Sequence, residues 1–509
     1  MRRPRRWQRL LVFSFLRLSR RLRVALLSSQ RLQRILLAPG REHWLERIGG
    51  WRAWMVFDDA RSCVPAYREF LAANGGGEVL LDKHWHVSLA GVPATDKETY
   101  VKPYPIPARC RGGVIPDRGV VIDESSGTSG EPTNWVRGAE ERADGRRLLH
   151  AGMAQRFGDE PLFVINAFAL GPWATGMAVS MGTVDIAIVK SIGPDRDKIE
   201  NALRIFGTGY RYLICGYPPF LKSLVDESSI DWGQYRCVAA VGGEGMTEGL
   251  RAHLEHAFER VYSSFGASDL EINLAAETDL SIGLRQLLAS DPRVGEALGL
   301  PERSVLPMVF QYNPLDYLIE TNEAGELLIT ICRLRNVAPK IRYNLRDLGQ
   351  VVRVRDVGPA LEQLGYRLDA IAPGHLNLPF LLHYGRSDAT VAYYGANISP
   401  VDIEEVMNAL DELAPRCANY ALLVGEDAHS NKQLEIAFEL RPGERAPWRQ
   451  EALRRKFLAR LGEINQDYRE AARFIPDGYE PALAFYKQGE GPFADIDPRL
   501  KRPYIQQAR

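Results

Sequence analysis

"DESSGTSGEPTNW", residues 123–135, sets six small residues, SSGTSG, directly behind the apolar run GVVID (119–123) and carries no lysine. Gly127 and Gly130 let the backbone turn sharply, so that consecutive N–H groups converge on an anion. Ser125, Ser126, Thr128 and Ser129 add hydroxyl donors. A GxxxxGK[ST] phosphate loop requires its lysine, so this stretch is not one. A neutral loop of this kind embraces a polyphosphate provided that a divalent metal supplies the positive charge. Taken alone, it also fits a surface turn.

Working outward, GVVID reads as a short buried strand feeding the loop. From 160 to 245, apolar runs such as PLFVINAFAL, YRYLICGYP and YRCVAAVGGE alternate with helical stretches. That alternation predicts βαβ units and a largely parallel sheet, with ligands at the carboxyl ends of its strands. A polar turn near 387 marks a boundary, followed by a βα-rich tail of about 120 residues, the size of a small domain. The expected organisation is a basic segment over 1–40, a large domain over 41–386 and a small one over 387–509.

The 509 residues are 45% hydrophobic and 25% charged with zero formal net charge, which gives no pointer to nucleic acid. Six scattered cysteines form no CxxC, so neither a zinc site nor a disulfide scaffold is expected and a reducing cytoplasm fits. No run is long and apolar enough to span a membrane. Residues 1–38 break the neutrality with eleven arginines and no acid. On a helical wheel Leu11, Phe15, Leu18, Leu22, Leu26 and Leu36 fall opposite them, and Pro39-Gly40 ends the pattern. Three readings stand: an amphipathic helix on an anionic membrane surface or partner, a helix packed on the body, and a transit peptide.

Four more stretches follow in order: VGGEGMTEGLR (241–251), YSSFGASDLE (262–271), PKIRYNLRDLG (339–349) and GRSDATVAYYGANISPVDIEEV (385–406). With SSGTSG, this ordered set resembles the adenylate-forming superfamily of acyl-CoA synthetases, peptide-synthetase adenylation domains and luciferases. The nearest likeness is to its phenylacetate–CoA ligase branch, whose loop reads SSGTTGKPT. There threonine stands where most relatives carry lysine, and Thr133 fits. The likeness runs from residue 64 to about 406 and more faintly to the end.

The resemblance implies an α/β fold: a large N-terminal adenylate-forming domain with mixed or parallel sheets flanked by helices, plus a small mobile α+β C-terminal domain. It implies that ATP and AMP are bound by Ser125, Ser126, Gly127, Thr128, Ser129, Gly130 and Thr133. Gly243, Glu244, Phe265, Gly266, Ser268, Asp347 and Arg386 would complete the nucleotide site. Phe265 would offer its face to adenine, Gly242 and Gly243 would let backbone approach the base, and Asp347 would accept from both ribose hydroxyls. Arg386 would fork onto ribose or phosphate oxygens. Asp269, where relatives carry glutamate, would hold Mg²⁺, and Arg346 stands where a glycine is usual. Asp388 would be the hinge of the small domain.

For the adenylation lysine, which neutralises charge at the α-phosphate, the tail offers Lys501 on position and Lys487 as the rival. Phe168, Trp173 and Met177 would line an acyl pocket, or serve as core. Residues 278–312 depart from the branch's pattern, and no zinc is expected there. The function implied is ATP-dependent formation of an acyl-adenylate, with coenzyme A as the leading acceptor and an amine or a carrier protein as alternatives. A membrane-associated protein with the nucleotide fold and no catalysis is the remaining reading.

Overall fold

The computed structural model describes residues 1–19, 29–38, 40–125, 133–158, 160–171, 174–301, 306–388, 390–427, 429–494 and 505–507. In chain order, the elements that position the site begin with helices α1 (Arg6–Leu18) and α2 (Glu42–Cys63). Strands β1 (Val121–Ser125) and β2 (Thr133–Arg137) precede helix α3 (Ala139–Phe157), strand β3 (Leu162–Asn166), helix α4 (Ala174–Thr183) and strand β4 (Ile188–Ser191). Strands β5 (Arg211–Gly216), β6 (Arg236–Gly242), β7 (Arg260–Phe265), β8 (Ala275–Ala276) and β9 (Met308–Gln311) follow. Then come β10 (Tyr317–Thr321), β11 (Glu326–Ile331), β12 (Tyr343–Val352) and β13 (Phe380–Arg386).

These strands, the β1–β2 pair aside, form one eleven-stranded sheet in the order β10-β11-β12-β13-β9-β8-β7-β6-β5-β3-β4. The half from β4 to β7 is parallel and the half from β7 to β10 antiparallel. β3 is buried at every position, and β5 and β6 nearly so. Their unbroken apolar runs suit strands covered on both faces.

The C-terminal region forms a hairpin of β14 (Val391–Tyr393) and β15 (Ala396–Ile398) and a second sheet. That sheet has β16 (Cys417–Glu426), β17 (Lys432–Leu440), β18 (Ala482–Tyr486) and β19 (Ile505–Gln507), in the order β18-β17-β16-β19. Its own apolar core includes Tyr393, Ile403, Leu422, Phe438 and Phe457.

Two expectations are corrected. The GVVID strand is not buried. β1 pairs antiparallel with β2 alone, and Ile122 is 51% exposed. A two-stranded hairpin outside the main sheet leaves such a position open to solvent. In the basic segment, Val12, Phe13 and Leu16 are buried, whereas Leu11, Phe15 and Leu18 are exposed. Helix α1 packs on α2 through Phe13 against Trp54 and Arg9 against Asp58. It therefore carries apolar residues on two faces, one against the body and one open. Leu22 and Leu26 lie outside the described residues.

Candidate active site

Four of the five motifs meet, in the described residues, around the carboxyl ends of β6 and β7. β7 ends at Phe265, which packs against Phe310 and stands 4.9 Å, centroid to centroid, from His383. His383 Nε2 lies 3.4 Å from Asp347 Oδ1. Asp347 is directly opposite Arg386 across the β12–β13 pair, and Arg386 forks onto both oxygens of Asp388. Burial opposes the charge of Arg386, but Asp388, Asp347 and Asp269 outweigh it and raise its pKa. Phe265, Asp347, Arg386 and Asp388 are thus one contiguous group, joined by a histidine that no motif singled out.

Asp269 is buried and accepts from Tyr343 Oη at 2.7 Å, with Lys97 Nζ 3.4 Å from its other oxygen. Burial, then the Asp269 charge, pushes the Tyr343 phenol well up, so it stays a donor. Gly266 has no room for a side chain, because a β-carbon there would lie 2.6 Å from Glu271 O and Asn273 N. Arg137, at the foot of the β1–β2 hairpin, joins that hairpin to the Asp269 loop. Its Nε donates to Asp123 at 3.1 Å, and its two other nitrogens to the carbonyls of Ser268 and Leu270.

Ser126, Gly127, Thr128, Ser129, Gly130, Trp173 and Lys501 lie outside the described residues, as does the side chain of Ser125. Ser125 and Thr133 close the hairpin as a backbone pair. Lys487 is on the surface, 3.9 Å from Glu490.

Gly243 takes φ +85°, with the site of its absent β-carbon 2.7 Å from the Tyr217 ring. Gly395, on the turn of the β14–β15 hairpin, presents φ +88° to the same ring. Tyr217 also meets Phe168 edge-on at 5.1 Å. Glu244 is not open to solvent: its side chain is wholly buried, and Lys432 of β17 donates to it and, at 2.6 Å, to Ala392 O. Lys432, Lys97, Tyr343 and His383 escaped the sequence reading. Tyr343 lies inside a quoted motif. The other three have no local signature, since Lys432 lies 188 residues from Glu244 and the partners of Lys97 and His383, Asp269 and Asp347, are likewise outside their own segments.

Phe168 and Met177 line a cavity of 360 Å³ between α3, α4 and the strands β5 to β7, with Leu149, Met153 and Leu213. Its wall also includes Asp123 and Arg137, so it abuts the β1–β2 hairpin. Among the described residues, no cluster of three His, Cys, Asp or Glu side chains is disposed to hold a metal. Asp269 offers one carboxylate and no ready-made cage, which fits a magnesium ion carried in by phosphates, the usual mode for this cation.

No family profile and no curated protein matches the chain. Among solved structures it is similar to 2-hydroxyisobutyryl-CoA ligase in complex with 2-HIB-AMP and CoA in the thioesterification state. That match has a TM-score of 0.62 and 16% identity, over 92% of this chain and 90% of the other. Two structures of the same ligase in the postadenylation state, one with 2-HIB-AMP and one with R3-HIB-AMP, give 0.50 at 16% identity, over 93% and 90%. The chain shares the fold of these AMP-forming acyl-CoA ligases.

Proposed function

We propose that this protein activates a carboxylic acid with ATP and passes the acyl group to coenzyme A. A carboxylate oxygen attacks the α-phosphorus and pyrophosphate leaves. The thiol of the acceptor then attacks the acyl carbon of the mixed anhydride, and AMP leaves with the bonding electron pair. The observation that carries this reading is the convergence of Phe265, Asp347 and Arg386, with Asp269 acting on Arg386, across 122 positions of sequence, at the end of the strand whose Tyr262, Ser263 and Ser264 line the cavity.

In this reading Phe265 and His383 border adenine, Asp347 accepts from the ribose hydroxyls and Arg386 faces the sugar–phosphate link. The amides and hydroxyls of residues 125–130 hold the β- and γ-phosphates, and Lys501 reaches the α-phosphate. Asp269 would hold Mg²⁺, which supplies charge neutralisation for the leaving pyrophosphate. The sequence likeness is to the phenylacetate–CoA ligase branch, and Phe168 and Met177 make an apolar acyl wall.

Residues 387–509 are proposed to turn about Asp388 between the two steps. The contact of Gly395 with Tyr217 and the higher TM-score against the thioester-forming state both favour the second-step arrangement. Acid-dependent exchange of labelled pyrophosphate into ATP tests the first step, and its absence with every acid tried would defeat the proposal. Offering coenzyme A, carrier protein and amines, with the product weighed by mass spectrometry, tests the acceptor.

A peripheral membrane role is proposed for α1. Its open face shows Trp7, Leu10, Leu11 and Leu18 beside Arg2, Arg5, Arg6 and Arg17, the mix of apolar and cationic groups that suits an anionic bilayer. Binding to phosphatidylserine vesicles should fall when Leu11 and Leu18 become serine; equal pelleting of both forms contradicts it.

A further inference from the structure

Helix α3 turns Arg142, Arg146, Leu149, Met153 and Arg156 to the cavity, at spacings that keep one helical face. A helix face turned inward is ordinarily apolar. Here three of those five positions are arginine, a local violation of patterning of the kind that collects at functional sites.

Most charges around the cavity are matched. Arg137 is held by Asp123, and Arg333 by Glu271. Arg146 reaches Asp185 at 3.1 Å. Arg142 and Arg156 are different: neither has a carboxylate of the described residues within 4.0 Å, and the Nε of each is buried with no acceptor. Arg142 donates to Gly119 O at 3.1 Å. Arg156 lies against β7, and its Nη1 donates to Gly152 O at 3.4 Å and its Nη2 to Glu277 O. Glu277 and Asp279 act on it from further off and are engaged elsewhere, with Arg251 at 2.6 Å and Tyr262 Oη at 3.0 Å. The guanidinium rests over the Tyr262 ring at 5.0 Å, which fixes its plane. A guanidinium does not shed its proton in a protein, so Arg156 sets a positive charge at the cavity wall with no carboxylate in contact.

We propose that the acid accepted by this cavity carries a second anionic group, a carboxylate or another oxyanion, at its far end, received by Arg156. The inference rests on the acid-activating reading above. Tyr262, Ser263 and Ser264 of β7 line the cavity up to the end of the strand, so an acid whose reacting carboxylate lies at that end turns its far end toward Arg156. The planar fork binds a carboxylate through two parallel hydrogen bonds.

The test compares suberic with octanoic acid in pyrophosphate exchange, using wild type, Arg156→Met and Arg156→Lys. The expected result is a kcat/KM ratio of about tenfold or more for suberate, falling near unity in Arg156→Met and partly kept in Arg156→Lys. Because each ratio is taken within one variant, loss of folded protein cancels. A ratio at or below unity in wild type, or one unmoved by Arg156→Met, overturns the proposal while exchange itself leaves acid activation standing. A raised KM for ATP with an unmoved acid ratio also overturns it and gives Arg156 to the nucleotide. If neither acid supports exchange, calorimetry decides. Suberate binding that is lost in Arg156→Met supports the anion site and defeats acid activation; no binding defeats both.

Discussion

The Tyr217 ring lies flush against the α-carbon of Gly395, so closely that a β-carbon there would fall 2.9 Å from Tyr217 Cζ. The two residues belong to different regions, the ring to the main body and the glycine to the β14–β15 hairpin. In the arrangement seen, Gly395→Ala meets a ring already confined by Gly243 and Phe168. Overpacking of this sort costs about 1–3 kcal/mol, so thioester formation is expected to fall about tenfold while pyrophosphate exchange changes less than about twofold. Steady-state rates of the two assays check this, and equal losses in both contradict it.

Lys432 and Glu244 form an ion pair between the same regions, beside the Thr247–Glu426 hydrogen bond at 2.7 Å. Lys432→Met leaves a wholly buried carboxylate without its cation, a change worth about 3–5 kcal/mol if the interface stays shut. Opening the interface to hydrate Glu244 costs less, so the variant is expected to open. Small-angle scattering should show a larger radius of gyration, and Glu244→Gln in the same chain should restore the compact form.

Arg386 and Asp388 give a signed pH dependence. Burial opposes ionisation of Asp388, but its hydrogen bonds and charge pairing with Arg386 prevail and hold its pKa below the ordinary 3.8. A carboxylate depressed in this way stabilises the fold above its unfolded pKa, and the contribution is lost as pH falls through the folded value. The stability difference between wild type and Asp388→Asn should be full at neutral pH and close as pH drops below 3.8. Urea unfolding across that range measures it; a constant difference contradicts the pairing.

Gly266 holds the Asp269 loop closed against the returning backbone of residues 271–273. Gly266→Ala places a β-carbon against two backbone atoms at 2.6 Å, and neither atom can swing aside. Destabilisation of about 1–3 kcal/mol is expected, with loss of exchange activity beyond what the fall in Tm explains. Thermal unfolding beside activity at low temperature separates the two effects.

Arg346 occupies φ +68°, the left-handed region that favours glycine. It is held there by its N–H on Asn344 Oδ1 at 2.7 Å and its guanidinium on Asp96 at 2.9 Å. Arg346→Gly trades backbone relief against that exposed ion pair, and a net change under about 1 kcal/mol is expected. Arg346→Val keeps the strain and loses the pair, and should cost about 1–3 kcal/mol. Chemical denaturation ranks the three proteins.

Legibility in the sequence followed how locally each feature is determined. The parallel half of the sheet could be read because β3, β5 and β6 are apolar runs long enough to stand out between helices. The antiparallel half could not, since β8 is two residues long and β9 is placed by β13, about 70 residues further along the chain. Phe265, Asp269, Asp347 and Arg386 stood out as members of motifs. His383, Lys97 and Lys432 did not, because a lone histidine or lysine acquires meaning only from what the fold sets beside it. The open face of α1 was hidden for a related reason: helical periodicity finds an apolar stripe but does not say which of two stripes the body covers.

Activation of an acid by ATP is the claim on which the rest depends, and transfer of a heavy-oxygen label tests it most directly. With the label in the acid's carboxylate, the account predicts one labelled oxygen in the AMP released and unlabelled pyrophosphate, because the carboxylate attacks the α-phosphorus. Label in inorganic phosphate together with ADP, or no label in any nucleotide product, would contradict it.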